Sequence, residues 1–479
     1  MSGRRYTESL HLRKRKQQDM SPTEEHMRPT KMIGVLAILA LVVAACGSDD
    51  GAEETTTTAA PATTTTAAPT TTAADGGTTD TTEAAGEDPL AAFGESRNAD
   101  PALLEKAMGP IAAPEDDPAW DIILAAVARA DQDLDQATID KAIECWSNPE
   151  CDTGTGGDLT MGFADGGGHL NVWRGVTHME AILQALTYPE IGKIISTEAL
   201  WNPDPAVAAN DIRFLIQQGV DFITGYPDAG VAIGDAIKEA TAAGIPYIPW
   251  SAGWVGLPGQ DGALVPGEDY LTVVGENLCD LGETMAAVLN ENVGEGKIGV
   301  LGGTPGNALS LGWQQCLVPA LNSGIELVGE PADTFWVNDV ALQVVLGWLS
   351  TDPDIKGYAY EYSDGMNTAL QAYDQLGIPV ENLTLAMRTD EMTLFCDWVA
   401  RGEPSTYNIF YTAGGNFQSR VAVTAAMMSL KGAEIPAQID VPHAVRKASA
   451  ADCDPNAPTP TVSGTSLVPG AVLQLMFGS

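Results

Sequence analysis

Short apolar segments alternate with amphipathic helical segments from Leu159 onward, and this alternation restricts the fold more than any other feature. A stretch rich in Gly, Pro and Asp, Gly256–Asp269, divides the pattern into two blocks. The first block contains the strand-like segments "LTMGFAD", "VDFITGYP" and "IPYIPWS", and the second contains "KIGVLGG", "IKGYAYEY" and "LTLAMRTD". Strands joined by helices run parallel, so the pattern predicts an α/β fold with two parallel sheets. Ligands of such folds bind at the carboxyl ends of the strands.

Residues 89–157 precede this pattern and have a different character. The segment "DPAWDIILAAVARADQDLDQATIDKAIECW" places Trp120, Ile123, Leu124 and Val127 at helical spacing. The segment "NPECDTGTGGD" then ends the helical pattern. We therefore expect a small helical region, called the prelude (residues 89–157), that docks on the main fold.

The amino-terminal segment has the pattern of an export signal. Arg28 and Lys31 precede an apolar run of 13 residues, Ile33–Ala45. That run is shorter than the roughly 20 residues that a membrane-spanning helix needs, and it suits a signal-peptide core. Because small residues directly precede Cys46, the segment resembles a bacterial lipobox. This resemblance implies cleavage before Cys46 and a diacylglycerol on its sulfur, with residues 1–45 as the signal peptide. A secretory signal with an incidental cysteine is the alternative.

Residues 46–88 follow as a segment dominated by Thr, Ala and Pro. Such a composition cannot bury enough apolar surface to offset the loss of chain entropy, and it predicts a disordered linker. The chain has seven cysteines, and six remain when Cys46 is set aside. An even number suits an oxidising compartment. The pairs Cys145–Cys151, Cys279–Cys316 and Cys396–Cys453 are one possible set, which begins with the closest pair, but the sequence leaves the connectivity open.

The charge excludes one class of partner. The chain carries 64 acidic residues against 24 lysines and arginines, a formal net charge of −40. Such a surface repels nucleic-acid phosphates, so we expect no nucleic-acid binding. Enzyme motifs are also missing: "GVLGGTPG" does not have the spacing of a dinucleotide-binding loop, and no GxSxG or HExxH occurs. We expect neither an enzyme nor a metal site.

Six stretches, taken in order, resemble the periplasmic sugar-binding proteins of the ribose-binding type. They are "NDIRFLIQQGVDFITGYPD", "AIKEATAAGIPYIPWS", "VVGENLCDLGETMAAVL", "KIGVLGGTPGNALSLGWQQCL", "PDIKGYAYEYSDGMNTALQAYDQLGI" and "RTDEM". The resemblance covers about Leu159 to Cys453. It implies two Rossmann-like lobes, three hinge crossings between them, and a ligand in the cleft that the lobes close upon. It implies no cofactor.

The resemblance also implies boundaries. Lobe 1 is expected at residues 158–269 plus about 413–442, and lobe 2 at residues 270–412 plus about 443–479. The three hinge crossings are expected near Pro266–Val274, Tyr407–Gly414 and Val441–Lys447.

Sugar recognition needs polar groups at the rim of the ring and aromatic rings on its faces. By its place in the family pattern, Trp173 is expected to stack on the solute, with Asp165 and Asn171 beside it. Ser363 and Asp364 match an Asn-Asp pair of the family, and Asp390 matches its ligand-binding Asp. A core position for Trp173 and helix capping by Asp364 and Asp390 are the alternatives.

Two departures from the family pattern concern charge. An Asp-Arg pair is replaced by Ser251 and Ala252, and a usual Arg is replaced by Asn307. The remaining candidates are the two arginines and five uncharged residues: Arg174, Arg388, Trp250, Trp254, Tyr362, Tyr411 and Asn416. Loss of charge-assisted donors favours a polyol, a modified sugar or a less polar solute.

The sequence thus predicts a monomeric solute-binding protein, lipid-anchored through Cys46 at the outer face of the cell membrane, that delivers a sugar-like solute to an ABC permease. The first alternative is a sensory receptor of the same fold that signals to a membrane partner. The second is a protein for an amino-acid-like solute, which would need Arg174 or Arg388 in the cleft.

Overall fold

The computed structural model describes seven ranges of the chain, and the statements below concern these ranges: 89–114, 117–165, 171–198, 204–251, 253–402, 407–457 and 462–478. The expected signal peptide, Cys46 and the Thr-rich linker lie outside them. Within the described ranges, no helix has the length and apolar content to cross a membrane.

The prelude begins with a short 3-10 helix, Pro89–Phe93, and continues with three α-helices: α1 (Pro101–Met108), α2 (Pro118–Ala130) and α3 (Gln136–Ser147). Each α-helix begins at an aspartate whose side chain accepts a backbone N–H of the first turn: Asp100, Asp117 and Asp135. Such caps satisfy amide groups that a helix leaves unpaired at its start. The aspartate at 135 explains why the helical pattern divides into α2 and α3.

The prelude packs on the main fold. Buried α2 residues such as Ile123 and Val127 belong to the same apolar cluster as the helices of lobe 1. Arg129 donates to Glu95 at 2.9 Å, and its guanidinium carbon lies 3.7 Å from the centre of the Tyr188 ring. The prelude therefore shares one hydrophobic core with lobe 1.

Lobe 1 has a five-stranded sheet in the order β1-β3-β2-β4-β5. The strands are β1 (Glu150–Asp152), β2 (Leu159–Asp165), β3 (Ile191–Glu198), β4 (Phe222–Tyr226) and β5 (Tyr247–Pro249). The helices between them are α4 (Val172–Leu186), α5 (Pro205–Gln218) and α6 (Gly234–Ala242), the last preceded by a 3-10 turn at Gly230–Ile233. All pairs are parallel except β1 with β3. The chain leaves lobe 1 through β6 (Val273–Gly275).

Lobe 2 has a seven-stranded sheet in which β14-β12-β11-β10-β7-β8 are consecutive neighbours and β9 also pairs with β7. The strands in chain order are β7 (Gly296–Gly302), β8 (Ile325–Leu327), β9 (Ala332–Asp333), β10 (Ile355–Tyr360), β11 (Thr384–Met387) and β12 (Asn408–Tyr411). The helices are α7 (Leu278–Asn292), α8 (Ala308–Ala320), α9 (Asn338–Thr351), α10 (Ser363–Ala369), α11 (Gln371–Leu376) and α12 (Met392–Arg401). The α/β fold with two parallel sheets is thus confirmed.

The chain then returns to lobe 1 and crosses once more. Helix α13 (Gln418–Leu430) packs on α4 of lobe 1, and β13 (Gln438–Asp440) pairs in parallel with β6 to form a two-stranded sheet between the lobes. Strand β14 (Arg446–Lys447) then joins lobe 2 beside β12 in antiparallel register. The lobes are therefore joined by three crossings, as the resemblance implied.

The carboxyl-terminal segment departs from the expected arrangement, which placed residues 443–479 in lobe 2. After β14 and a 3-10 turn (Ala450–Asp452), residues 462–468, called the strap, contact both lobes. Asp390 of lobe 2 accepts the Thr465 N–H at 2.8 Å, and Glu180 of α4 accepts the Leu467 N–H at 2.7 Å. Helix α14 (Gly470–Phe477) then packs on α3 of the prelude. Apolar residues drive this return, because Leu467, Val468 and Val472 are buried in the lobe 1 cluster.

The glycine pair Gly414–Gly415 is explained by the strap. A Cβ atom at Gly414 would overlap Ser463 Oγ, so only glycine allows the strap to approach the second crossing. Gly415 has a φ of +69°, a left-handed conformation that side chains other than hydrogen disfavour.

Three disulfides join the six cysteines of the folded region: Cys145–Cys151, Cys279–Cys316 and Cys396–Cys453. The first links α3 to β1, the second links α7 to α8, and the third links α12 to the residue that follows the last 3-10 turn. They are the set that the sequence left as one possibility. Their number agrees with an oxidising compartment.

Candidate functional site

A cavity lies between the lobes at the carboxyl ends of the strands, and it contains about 370 Å³ of space, including the part open to solvent. Both lobes contribute to its lining, which consists of Asn171, Trp173, Arg174, Tyr226, Ser251, Leu309, Trp336, Glu361, Tyr362, Arg388, Thr389 and Glu391. Tyr226, Ser251, Glu361 and Arg388 each stand at or just after the end of a strand. The parallel topology therefore positions this cavity.

The start of α4 forms one wall. Asn171 caps the helix by accepting the Arg174 N–H at 2.9 Å. The next residue but one, Trp173, donates its indole N–H to the Gly414 carbonyl at 2.7 Å. This bond fixes the ring against the second hinge crossing, and it leaves the aromatic surface of Trp173 for contact with a ligand.

Arg174 is buried beside two carboxylates of its own lobe. It hydrogen-bonds Asp165 at the end of β2 and Asp228 after β4, the latter at 2.6 Å. Although burial opposes the charged form, these carboxylates raise the pKa of the Arg174 guanidinium above its ordinary value. The charge of Arg174 is therefore matched within the protein.

Arg388 follows β11 and is held in the same manner. Its Nε and Nη2 atoms donate to Glu276 at 2.8 and 2.7 Å, and Nη2 also donates to Ser251 Oγ at 2.9 Å. Burial works against ionisation of Glu276, yet Arg388 holds the pKa of that carboxyl below its ordinary value. Nη1 makes no hydrogen bond within the described residues, so it can donate to a ligand without changing the charge balance.

Glu361 follows β10 and is 1% exposed. It accepts hydrogen bonds from Ser310 Oγ at 2.6 Å, from Trp336 Nε1 at 2.9 Å and from Trp313 Nε1. All three donors are neutral. Burial raises the pKa of Glu361, and the hydrogen bonds work against that rise.

Glu391 is also 1% exposed and stands two residues after Thr389. Its Oε2 atom accepts from Thr389 Oγ1 at 2.5 Å and from Ser363 Oγ. Its Oε1 atom is buried and has no hydrogen-bond partner among the described residues. Burial raises the pKa of Glu391 to about 7, so this carboxyl exchanges its proton near neutral pH.

Aromatic rings connect the two lobes at the cavity. Tyr226 of lobe 1 lies edge-on to Trp336 of lobe 2, with 6.1 Å between ring centres. Trp250 lies behind them and is fully buried, 5.6 Å from Tyr226 and 6.0 Å from Trp173. These contacts make the aromatic surface continuous from one lobe to the other.

The structure brings six of the residues named from the sequence into the lining: Asn171, Trp173, Arg174, Ser251, Tyr362 and Arg388. Their contact with a ligand stays a prediction. Both arginines are in the cleft, as the amino-acid alternative required. However, each already has a carboxylate partner, so neither is available as an unmatched cation for a ligand carboxylate.

Contrary to expectation, four of the predicted residues do not line the cavity: Asp165, Trp250, Trp254 and Asn307. Asp165 is engaged with Arg174, and Trp250 is covered by the rings above it. Trp254 packs between apolar clusters of the two lobes. Asn307 caps α8, and its amide donates to the Asp228 carbonyl across the cleft at 3.3 Å.

Five residues near the hinge and lobe 2 are likewise outside the lining. Ser363 hydrogen-bonds Glu391, and Asp364 accepts from Asn338 and Thr393 at 2.8 Å each. Asp390 is bonded to the strap, and Tyr411 donates to Asp452 at 2.8 Å. Asn416 donates to the Trp173 carbonyl and to Thr177 Oγ1. These side chains support the cavity from behind.

Six lining residues were not selected from the sequence: Tyr226, Leu309, Trp336, Glu361, Thr389 and Glu391. Tyr226 and Glu361 could have been found, because each stands at a strand end within a segment recognised as a strand. Thr389 and Glu391 flank Asp390, which was selected in their place. Trp336 lies in a turn after β9 with a φ of +53°, and no periodic signal marks that turn.

Two α/β lobes, three crossings and a cavity between strand ends define a two-lobed solute-binding protein. The sequence profile described as "Periplasmic binding protein domain" matches residues 190–434, just over half of the chain. The chain therefore belongs to the periplasmic binding protein family. Membership places it among binding proteins and not among enzymes, and the family resemblance found in the sequence is confirmed. No curated protein sequence matches the chain.

Solved structures share the fold. An ABC transporter solute-binding protein from Bacillus halodurans with bound myo-inositol is 16% identical, with a TM-score of 0.51 over 62% of this chain and 97% of that chain. A Mycobacterium smegmatis protein in complex with β-D-fucofuranose is 19% identical, with a TM-score of 0.51 over 61% and 92%. The arabinose ABC transporter's periplasmic binding protein from Shewanella sp. ANA-3, bound to L-arabinofuranose, is 17% identical, with a TM-score of 0.51 over 60% and 92%. At these identities the likeness concerns the fold.

Proposed function

We propose that this protein is the extracytoplasmic receptor of an ABC importer and binds a sugar or sugar-like solute between its lobes. The observation that carries the proposal is the cavity between the strand ends, whose lining combines aromatic rings with fixed polar groups from both lobes. Aromatic rings pack against the C–H faces of a sugar ring, and the polar groups bond its hydroxyls. The solved structures named above, which share the fold, carry myo-inositol, fucofuranose and arabinofuranose, and this supports the same class of solute here.

The charges favour an uncharged polyhydroxy compound over an α-amino acid. An amino acid brings a carboxylate, and such a group needs an unmatched cation or a set of free donors. Arg174 and Arg388 are matched by Asp165, Asp228 and Glu276. A further carboxylate would add to the negative charge of the cavity.

The membrane anchor belongs to the same proposal. Lipidation at Cys46 would hold the receptor at the outer face of the cell membrane, and the 46–88 segment would act as a tether. The three disulfides support an extracytoplasmic location. The replacement Cys46→Ser should release the protein or leave its precursor uncleaved, without changing solute affinity. A change in affinity would contradict the separation of anchor from site.

The binding proposal is tested by calorimetric titration of the full-length protein with myo-inositol, arabinose, fucose and other sugars and polyols. Saturable binding without turnover is expected. Trp173→Ala should weaken it by about ten- to a hundredfold, since a stacked ring contributes on the order of 1–3 kcal/mol. The control is Trp348→Ala, which changes a tryptophan outside the lining. Absence of binding to every sugar and polyol at millimolar concentration would refute the proposal.

The partner distinguishes an importer from a sensor. We place the importer first because two of the solved structures named above, which share the fold, are described as ABC transporter proteins. A permease and an ATPase encoded beside this chain, and loss of solute uptake on its deletion, are the expected results. A neighbouring sensor kinase with unchanged uptake would favour the sensory alternative.

A further inference from the structure

The lining of the cavity contains two carboxylates that no basic side chain neutralises by direct contact. Glu361 accepts hydrogen bonds from Ser310, Trp313 and Trp336, all of which are neutral donors. Glu391 accepts from Thr389 and Ser363 through Oε2, and its buried Oε1 atom has no partner among the described residues. A buried carboxylate oxygen without a partner loses the hydrogen bonds that water would give it.

The surrounding charges supply only part of the missing positive charge, because Arg388 attracts Glu361 without a hydrogen bond and is already paired with Glu276. Arg174 is shared by Asp165 and Asp228, and Arg388 is bonded on two nitrogens by Glu276. The two arginines are therefore paired with three carboxylates, and Glu361 and Glu391 add two more. When all of these groups are ionised, this part of the cleft is short of positive charge.

The aromatic part of the lining suits a cation. The rings of Trp173, Tyr226, Trp336 and Tyr362 all line the cavity. The indole N–H groups of Trp173 and Trp336 are used by protein acceptors, which leaves the ring surfaces for the ligand. An ammonium group within about 6 Å of such a ring is attracted by its quadrupole, and the attraction is stronger when the group is desolvated. Arg174 lies 4.9 Å from the Tyr226 ring centre, so one cation already contacts this part of the wall.

We propose that the solute carries a protonated amine, as an amino sugar or an amino cyclitol does, and that this amine donates to Glu391 Oε1 within the aromatic wall. The inference rests on the proposed function and specifies its ligand class. The amine supplies the positive charge that the cavity is short of. The hydroxyls of the same ligand bond the remaining polar groups, among them Nη1 of Arg388.

The test uses matched probes at pH 7 and low salt. Calorimetry compares D-glucose, D-glucosamine and N-acetyl-D-glucosamine, the same set for galactose, and myo-inositol with its monoamino analogue. Tighter binding of an amine than of its hydroxyl parent by tenfold or more is expected, together with loss of this preference on N-acetylation, which removes the charge. The wild-type protein should also lose part of the preference in 0.5 M salt.

The variant Glu391→Gln keeps the shape of the side chain and removes its charge. It should reduce the amine preference, the ratio of the affinities for the amine and for its hydroxyl parent in the same variant, to threefold or less. Glu361→Gln is the second variant and should lower the preference in the same direction. Equal or tighter binding of the hydroxyl parent would overturn the inference and leave the proposed function standing. A preference that survives both substitutions would overturn the role of the carboxylates. Failure of every probe to bind would overturn the proposed function itself.

Discussion

Arg388 and Glu276 are joined by two hydrogen bonds of 2.8 and 2.7 Å, and this pair connects the wall of the cavity to the hinge. Glu276 directly follows β6, which forms the two-stranded sheet between the lobes with β13. Arg388 follows β11 at the centre of lobe 2. This ion pair therefore links the first hinge crossing directly to the cavity.

The substitution Glu276→Gln should destabilise the protein strongly. It leaves Arg388, which is 2% exposed, without its opposite charge, and breaking a buried pair in this way costs about 3–5 kcal/mol. Urea unfolding measures the free energy. Glu239→Gln serves as the matched control, because its bond to Arg213 is largely exposed and should contribute less than about 1 kcal/mol. Equal losses for the two variants would contradict the importance of the buried pair.

The pH dependence of the free energy of unfolding should show the raised pKa of Glu391. Its pKa is about 7 in the folded protein and near its ordinary value of 4.5 in the unfolded chain. Between these values the folded state binds more protons, so the contribution of Glu391 to stability falls as the pH rises from about 4.5 to 7, by about 3 kcal/mol.

The measurement compares wild type with Glu391→Gln in urea at pH 5 and pH 7.5. The stability of the wild type relative to the variant should fall with rising pH, and groups common to both proteins cancel in this difference. The control is Glu283→Gln, which makes the same chemical change at an exposed position outside the cavity. A flat difference for Glu391→Gln would mean that its carboxyl titrates normally.

Asp390 should matter for stability more than for binding. Its two oxygens accept the Ser463 hydroxyl and the Thr465 N–H, which fixes the strap to lobe 2. Asp390→Asn places an amide donor against one of these donors and should lower the free energy of unfolding by about 1–3 kcal/mol. Titration with the tightest solute found should give an affinity within about threefold of wild type. A hundredfold loss of solute affinity with unchanged stability would indicate that Asp390 contacts the ligand, as expected from the sequence.

The contribution of each disulfide to stability should increase with the length of the loop that it closes. Cys279–Cys316 spans 37 residues, whereas Cys145–Cys151 spans 6. Closure of the longer loop restricts the unfolded chain more. Replacing Cys279 and Cys316 by alanines should therefore lower the free energy of unfolding by about 4 kcal/mol, and replacing Cys145 and Cys151 should lower it by about 2 kcal/mol. Urea unfolding of the two double variants, under conditions that keep the other bridges oxidised, provides the comparison. The reverse order would indicate that strain or residual structure outweighs loop length.

The sequence predicted the elements that carry a regular pattern. Strand β2 has the predicted bounds, Leu159–Asp165, because Met161, Phe163 and Ala164 form a short apolar segment that ends at Asp165. Strand β3 was missed. Its Ile191, Ile194 and Ile195 follow helical spacing, and residues 194–197 are all buried, so the strand shows no alternation of polar and apolar residues.

The site was predicted less well than the fold, for a physical reason. The family pattern gives positions along the chain, but whether a side chain reaches the cavity depends on which neighbour takes its hydrogen bonds. Asp390 and Glu391 are adjacent, and the strap bonds the first while the second lines the cavity. The strap comes from residues 462–468, more than seventy positions away, and nothing local to Asp390 indicates it.

The strap also restricts how the protein can open. Three crossings alone would let lobe 2 both bend away from lobe 1 and twist against it. The strap is a further connection, bonded to Asp390 on one lobe and to Glu180 on the other, beside the second crossing at Gly414. The strap is therefore a fourth connection between the lobes, placed beside the crossings. Any motion that separates Asp390 from Glu180 has to break a bond of the strap or carry the strap with one lobe.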